Sequence, residues 1–229
     1  MSNEILFLLQ TITMLCLTLV MFRLGKHYLT AYVAASIVLA NIFVTKQMKL
    51  FGLDATGGNV LYGSIFLATD LLSEHFSRED AKDAVKIGFL ASLMYLIGSR
   101  FILAYLPSEY DTVQAGMSAI FVFAPRIIIA SMIAYLVSQF HDIWVYHFIW
   151  QRTGAKWLWL RNNGSTWISQ LIDSVIFASI AFIGIFPLRV VGQIILSTYL
   201  LKVLVAFIDT PFIYLSYKIR PAITDQSQR

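Results

Sequence analysis

The chain has 229 residues, of which 58% are hydrophobic and 13% charged, and its mean hydropathy is +0.72. Soluble domains carry about 25% charged residues, so a soluble globular protein is excluded and an all-α polytopic helical membrane protein is indicated. The pI near 9.2 does not point to nucleic acid, because the basic residues gather at the ends of apolar runs, where membrane orientation accounts for them.

Apolar runs predict helices at about 5–22, 29–45, 58–74, 86–106, 118–142, 166–187 and 190–217. Several reach the roughly 17–25 residues that cross a hydrocarbon core. The first run, opening MSNEILFLLQ, has no basic region and no small-residue cleavage site, and reads as a retained helix rather than a signal peptide. It holds the single cysteine, Cys16, which rules out an intrachain disulfide framework. The third run is solidly apolar only from Val60 to Leu72 and carries Asp70 and Glu74, so it is either a short crossing helix or a re-entrant segment. Ser77–Lys86 follows as a charged connector. The fifth run ends in VSQFHD, and the basic loop QRTGAKWLWLRNN leads to the sixth, which begins with the similar ISQLID spacing. All five tryptophans lie between Trp144 and Trp167, as in an interfacial belt. Pro211 in the last run frees a carbonyl near Phe207.

Loop charges orient the chain. With seven crossings, Arg23, Lys26, Arg78, Lys82, Lys86, Arg152, Lys156, Arg161, Lys218, Arg220 and Arg229 share one side, and Lys46, Lys49 and Arg189 the other. The excess of Lys and Arg marks the first side as cytoplasmic. A re-entrant third segment gives an equal bias, so the count fixes a cytoplasmic C-terminus and leaves the third run open.

An ionised side chain at the bilayer centre costs about 2.5–3.5 kcal/mol on insertion scales, which makes the polar residues within these runs informative. They are Asn41, Asp70, Glu74, Arg126, Gln139, Asp142, Gln170, Asp173, Lys202 and Asp209. Asp70 and Glu74 are four apart and share a helix face. Gln139 with Asp142, and Gln170 with Asp173, are three apart, and Lys202 and Asp209 stand two turns apart on one stripe. Six also have a plainer reading: an ion pair for Lys202, a headgroup contact for Arg126, a helix-end acid for Asp142, contact with interfacial water for Asp173, helix-bridging amides for Asn41 and Gln170. Together they suit a neutral, hydrogen-bonding heterocycle better than a bulk ion. A carboxylate accepts two parallel N–H bonds, while an amide or Lys donates to a carbonyl oxygen. Phe43, Tyr62, Phe66 and Trp167 are candidates for stacking on such a ring.

The stretches GGNVLYGSIFLATDLLSEHF, PRIIIASMIAYLVSQFHDIWVY, STWISQLIDSVIFASIAFIG and LLKVLVAFIDTPFIYLSY resemble the queuosine precursor transporters, also called the vitamin uptake transporter family, over about residues 29–217. The family is similar to the six-helix substrate-binding subunits of energy-coupling-factor vitamin transporters. The resemblance implies import of 7-cyano- and 7-aminomethyl-7-deazaguanine across the inner membrane, with a purine-like base bound by Asn41, Asp70, Glu74, Arg126, Gln139, Asp142, Gln170, Asp173 and Lys202. It also implies a crossing third helix, a six-helix domain over 26–220, an extra N-terminal helix over 1–25 and a cytoplasmic tail over 221–229. Some relatives carry a basic residue in place of Glu74, and Ser77 stands where the family usually has Gly.

No cofactor or metal is expected. His-Glu-x-x-His is lacking, as are the Gly-x-Gly-Asp setting of an intramembrane aspartyl protease and a phosphate-binding Gly-rich Lys-Ser/Thr loop. The expected partners are a small-molecule substrate, membrane lipid and a second copy of the chain, with no nucleic acid. The alternatives are a carrier of a vitamin or another small heterocycle, a structural protein glued by amides and ion pairs, and an intramembrane hydrolase.

Overall fold

Ser2 opens the first helix, its hydroxyl accepting from the amide of Ile5 at 3.4 Å, an ordinary N-cap. The computed structural model describes residues 2–121, 125–219 and 221. Helix α1 (Asn3–Leu24) ends at Gly25, whose φ of 118° lets the chain turn straight into α2 (Lys26–Phe43). A two-stranded hairpin follows, β1 (Gln47–Leu50) against β2 (Leu53–Thr56). Its turn residues Phe51 and Gly52 both have positive φ, as a two-residue hairpin turn requires. The start of α1 ties the hairpin down: Asn3 donates to the Lys49 carbonyl at 3.1 Å and Glu4 accepts from the Phe51 amide at 3.2 Å.

Helix α3 (Asn59–His75) lies at the centre of the bundle, every residue from Leu61 to Ser73 buried, against α1, α2, α4, α6 and α8. It is one unbroken helix rather than a re-entrant loop. Its 17 residues give it a length of about 25 Å, slightly less than a hydrocarbon core of about 30 Å. The remaining elements are α4 (Arg78–Ala104), α5 (Gln114–Phe121), α6 (Pro125–Thr153), a 3₁₀ turn (Gly154–Trp157), α7 (Leu158–Phe182) and α8 (Leu188–Ser216). Five of these helices, α1, α4, α6, α7 and α8, are long and apolar enough to cross a membrane. Their outer faces carry exposed apolar side chains such as Met94, Phe101 and Leu196. The chain is a multi-pass membrane protein. Helix α1 is integral to it: Leu15, Leu19 and Phe22 share a core with Leu61, Ile65 and Leu72 of α3.

Several boundaries differ from the sequence expectations. Ser77–Lys86 is not a connector; Ser77 caps α4 by accepting from the Asp80 amide at 3.0 Å, and the charges form helical pairs, Glu79 with Lys82 and Asp83 with Lys86, each at 2.8 Å. The fifth run falls on α5 and α6, and α6 continues past it to Thr153. Helix α7 starts at Leu158, so most of QRTGAKWLWLRNN is helical and only Gly154–Trp157 turns. Arg161, Asn162 and Asn163 are buried rather than in a cytoplasmic loop, because α3, α6 and α8 supply polar partners for them.

Gly63 of α3 packs against Val205 of α8. A Cβ there would run into the branched side chain of Val205, whereas a Cβ on Gly98 of α4 would meet open space. Gly63→Ala should destabilise the bundle by about 1–3 kcal/mol, and Gly98→Ala should not. Thermal unfolding of the purified protein in detergent checks both; equal melting temperatures for the two variants would refute close packing at Gly63.

Candidate functional site

Helices α6 and α7 form an antiparallel hairpin about the Gly154–Trp157 turn. Residues equidistant from that turn face one another. Ser138 lies opposite Asp173 and donates to its Oδ1 at 3.2 Å. Asp142 lies opposite Ser169 and rests against the hydroxyls of Ser165, Thr166 and Ser169. Trp150 lies opposite Arg161, whose guanidinium sits 4.9 Å from the ring centroid. The two Ser-Gln-x-x-Asp stretches thus lie side by side: Ser138 bonds Asp173, while the Ser169 hydroxyl, near Asp142, is 3.0 Å from His141 Nδ1.

Helices α3 and α8 complete a buried polar column in three layers. In the first, nearest the β1–β2 hairpin, Lys202 of α8 forms an ion pair with Asp173 of α7. Its ammonium lies 5.1 Å from the Tyr62 ring, within cation–π range, and the Tyr62 hydroxyl is 2.7 Å from Ser131 Oγ. In the second layer, Thr69 donates to Gln139 Oε1 at 3.1 Å, Asn162 Nδ2 donates to Asp209 at 3.0 Å, and the carboxyl of Asp70 lies against that of Asp142. In the third, Arg161 grips Glu74 with two nitrogens, Nε at 2.8 Å, and Tyr146 and Tyr217 donate to the same carboxylate. Arg161 also donates to the Gly154 carbonyl at 3.1 Å, tying this layer to the α6–α7 turn. The guanidinium and carboxylate are 0% and 3% exposed, so this layer seals its end of the bundle.

Above the first layer lies a cavity of about 740 Å³, within the range of small-molecule pockets. Its floor is Tyr62, Ser131, Asp173 and Lys202; Phe177, Phe182 and Phe186 line one side, and Ala55 and Thr56 of the hairpin border it. The arrangement suits a flat, apolar-faced molecule with hydrogen-bonding atoms on one edge.

Of the nine polar candidates, Asp173 and Lys202 line this cavity. Asp70, Gln139, Asp142 and Gln170 are buried on the facing helices of the column, and Glu74 belongs to the sealed layer. Asn41 is buried and donates to the Ile37 carbonyl of its own helix at 3.0 Å. Arg126 is exposed and closes the end of α7, donating to the carbonyls of Ile180 and Ile183 at 2.5 and 2.6 Å. Among the stacking candidates Tyr62 lines the cavity; Phe66 is buried in the core, Phe43 is exposed, and Trp167 packs on Phe207 at 4.9 Å. The other four tryptophans divide: Trp144, Trp157 and Trp159 are exposed and Trp150 lies beneath Arg161. Sequence reasoning passed over Ser131, Ser138 and the three phenylalanines, whose residue types are ordinary for an apolar helix. It also passed over the roles of Tyr146 and Arg161. Among the described residues no group of three or more His, Cys, Asp or Glu side chains is placed to hold a metal ion.

The model of the family described as "Putative vitamin uptake transporter" matches residues 56–216. The chain is 41% identical to a "Probable queuosine precursor transporter" of Bacillus subtilis, over 86% of each chain. It is 29% identical to the "Queuosine precursor transporter" of Escherichia coli, over 64% of this chain and 63% of that one, and 33% identical to a Haemophilus influenzae relative over 58% and 54%. No solved structure matches the chain.

Removing one partner of a buried pair leaves the other charged and desolvated, at a typical loss of about 3–5 kcal/mol. Arg161→Met should therefore unfold the protein at much lower denaturant than wild type, and Glu74→Gln combined with Arg161→Met should recover part of that loss. A double variant no more stable than Arg161→Met, by denaturant titration in detergent, would show that the two side chains act separately.

Proposed function

The chain belongs to the vitamin uptake transporter family, and we propose that it imports 7-cyano-7-deazaguanine, 7-aminomethyl-7-deazaguanine or both across the inner membrane, with its C-terminus in the cytoplasm. It is a transporter and not an enzyme, as its relatives are. The substrate reading rests on the names of those relatives and on one structural observation: a buried carboxylate–ammonium pair, Asp173 with Lys202, on the floor of an aromatic-lined cavity.

A guanine-like edge offers two N–H donors beside a carbonyl oxygen. Asp173 accepts the donors, Lys202 donates to the oxygen, and Phe177, Phe182 or Tyr62 covers a ring face. A buried ion pair is weak evidence for stability, since hydrophobic residues of similar volume often serve as well; its position on the cavity floor fits binding. Arg23, Lys26, Arg152, Lys156 and Lys218, at helix ends and turns opposite the cavity, support a cavity that faces outward. Release inward then requires the layer of Glu74, Arg161, Tyr146 and Tyr217 to part.

Hydrogen bonds to a charged group contribute about 1.5–3 kcal/mol. Asp173→Asn should weaken binding of 7-cyano-7-deazaguanine by roughly 10- to 150-fold, and Phe182→Leu should weaken it less. Calorimetric titration of purified protein with both 7-deazaguanines, guanine, biotin and riboflavin checks this. Tight binding of an unrelated vitamin, or equal affinity in a folded Asp173→Asn, would overturn the reading.

A further inference from the structure

The second layer of the column holds three acids, Asp70, Asp142 and Asp209, each at most 2% exposed. The cations of the column are engaged elsewhere, Lys202 with Asp173 and Arg161 with Glu74. Asp70 and Asp142 face each other across α3 and α6, and the other charged neighbours of Asp70 are Asp209 and Glu74, again acids. Helices α1, α2 and α4, which also pack on α3, bury apolar side chains such as Leu15, Phe22 and Ile37, with Asn41, hydroxyls and the Tyr32 phenol, rather than charges. The titratable groups around the pair are thus Glu74 on α3, His141 and Tyr146 on α6, Arg161 and Asp173 on α7, and Lys202 and Asp209 on α8.

The polar atoms around the pair favour a shared proton. Both oxygens of Asp142 lie near the hydroxyls of Ser165, Thr166 and Ser169, yet neither makes a well-aligned hydrogen bond among the described residues. Asn162 Oδ1, Thr166 Oγ1 and Gln170 Oε1 are buried and likewise without partner, and so is Gln139 Nε2 beside Asp142 on α6. Four of these six atoms, the two oxygens of Asp142, Asn162 Oδ1 and Gln170 Oε1, can only accept, so acceptors outnumber donors in the layer. A metal cation would need these oxygens gathered around one point. Asn162 and Gln170 are eight residues apart on α7, about 12 Å along the axis, too far to share one ion. A string of acceptors ending in two facing carboxyls fits a proton instead, because two carboxylates sharing a site cannot both stay ionised.

We propose that the Asp70–Asp142 pair takes up a proton from the cavity side and releases it at the opposite end in each cycle, so that the transporter is coupled to the proton gradient. An O–H bond forms at one carboxylate of the pair, with the other accepting it, before the base settles on the Asp173–Lys202 floor. The bond breaks when the third layer parts, and the proton leaves with the base. The coupled step rests on the proposed substrate; the protonated pair does not.

The test has two arms. Infrared difference spectroscopy of purified protein at neutral pH should show the C=O stretch of an unhydrated carboxylic acid, shifted in D₂O and missing from Asp70→Asn and Asp142→Asn. The wild-type spectrum alone decides whether a shared proton exists, even if a variant fails to fold. In proteoliposomes loaded at an interior pH one unit above the exterior, with the membrane potential clamped at zero by valinomycin and equal potassium, 7-cyano-7-deazaguanine should accumulate about tenfold, as one proton per neutral base requires. A protonophore should abolish that accumulation. Asp142→Asn should lose the accumulation driven by the pH gradient. Absence of the carboxylic acid band, or accumulation that ignores the pH gradient or follows a sodium gradient, would overturn proton coupling. A wild-type protein that neither binds nor exchanges the base would instead sink the substrate reading and leave the infrared arm to decide the protonated pair.

Discussion

The antiparallel register of α6 against α7 is the constraint on which the polar interior depends. In hydrocarbon an unpartnered polar group costs several kcal/mol, so a helix carrying Ser138, Gln139 and Asp142 is tenable only beside one that answers it. The turn at Gly154–Trp157 sets that answer, placing Ser138 on Asp173, Asp142 on Ser169 and Trp150 under Arg161. A one-residue slip would rotate each of these side chains by about 100° and expose carboxylates to lipid. Arg161 guards against such a slip, because it also donates to the Gly154 carbonyl.

The other helices act on that hairpin from two sides. Helix α3 brings Tyr62, Asp70 and Glu74 to three successive depths, at intervals of eight and four residues that keep them on one face. Helix α8 brings Lys202, Asp209 and Ser216 at intervals of seven, which keeps them on one stripe opposite α7. The result is an axial order: a cavity lined by phenylalanines, an ion pair at its floor, an acidic layer, and a closed layer of Glu74, Arg161, Tyr146 and Tyr217. The hairpin at residues 47–56 lies at the cavity end, held there by Asn3 and Glu4 of α1. The first helix therefore helps shape the entrance as well as packing against α3.

Much of this was legible because the membrane makes polar residues conspicuous. Asp70, Glu74, Asp173, Lys202 and Asp209 stand out from apolar runs, and all five lie in the column. What the sequence hid was partnership and helix length. RNNG following WLWL has the composition of a loop, and an arginine there reads as an orientation signal. Its burial becomes evident only when Glu74, eighty-seven residues earlier, is seen to face it. For the same reason Asp142 reads as a helix-end acid: the polar HD and the basic QRTG suggest an end that α6 passes straight through. Ser131 and Ser138 gave no signal, since serines are common in membrane helices and only the facing residues distinguish these two. Arg126 stood out as strongly as Lys202, yet it sits at a helix terminus and satisfies two backbone carbonyls there, a role that local sequence cannot separate from ligand binding.

The distribution of charge along the column argues for its use. A structure selected for stability alone would place its cations at the centre, where desolvation is worst and several acids cluster. Here the two buried cations of the pairs occupy the ends, each matched to one carboxylate, and Asp70, Asp142 and Asp209 are left between them. Pairing at the ends holds each gate by contacts that can be broken and remade, the upper by a ligand that competes for Asp173 and Lys202, the lower by movement of α7 against α3. The unpaired centre is then the part of the column whose charge can change without breaking an ion pair. Such an arrangement lets the state of the middle layer be read at both ends, through Gln139 next to Ser138 on one side and through Tyr146, one helical turn from Asp142, on the other.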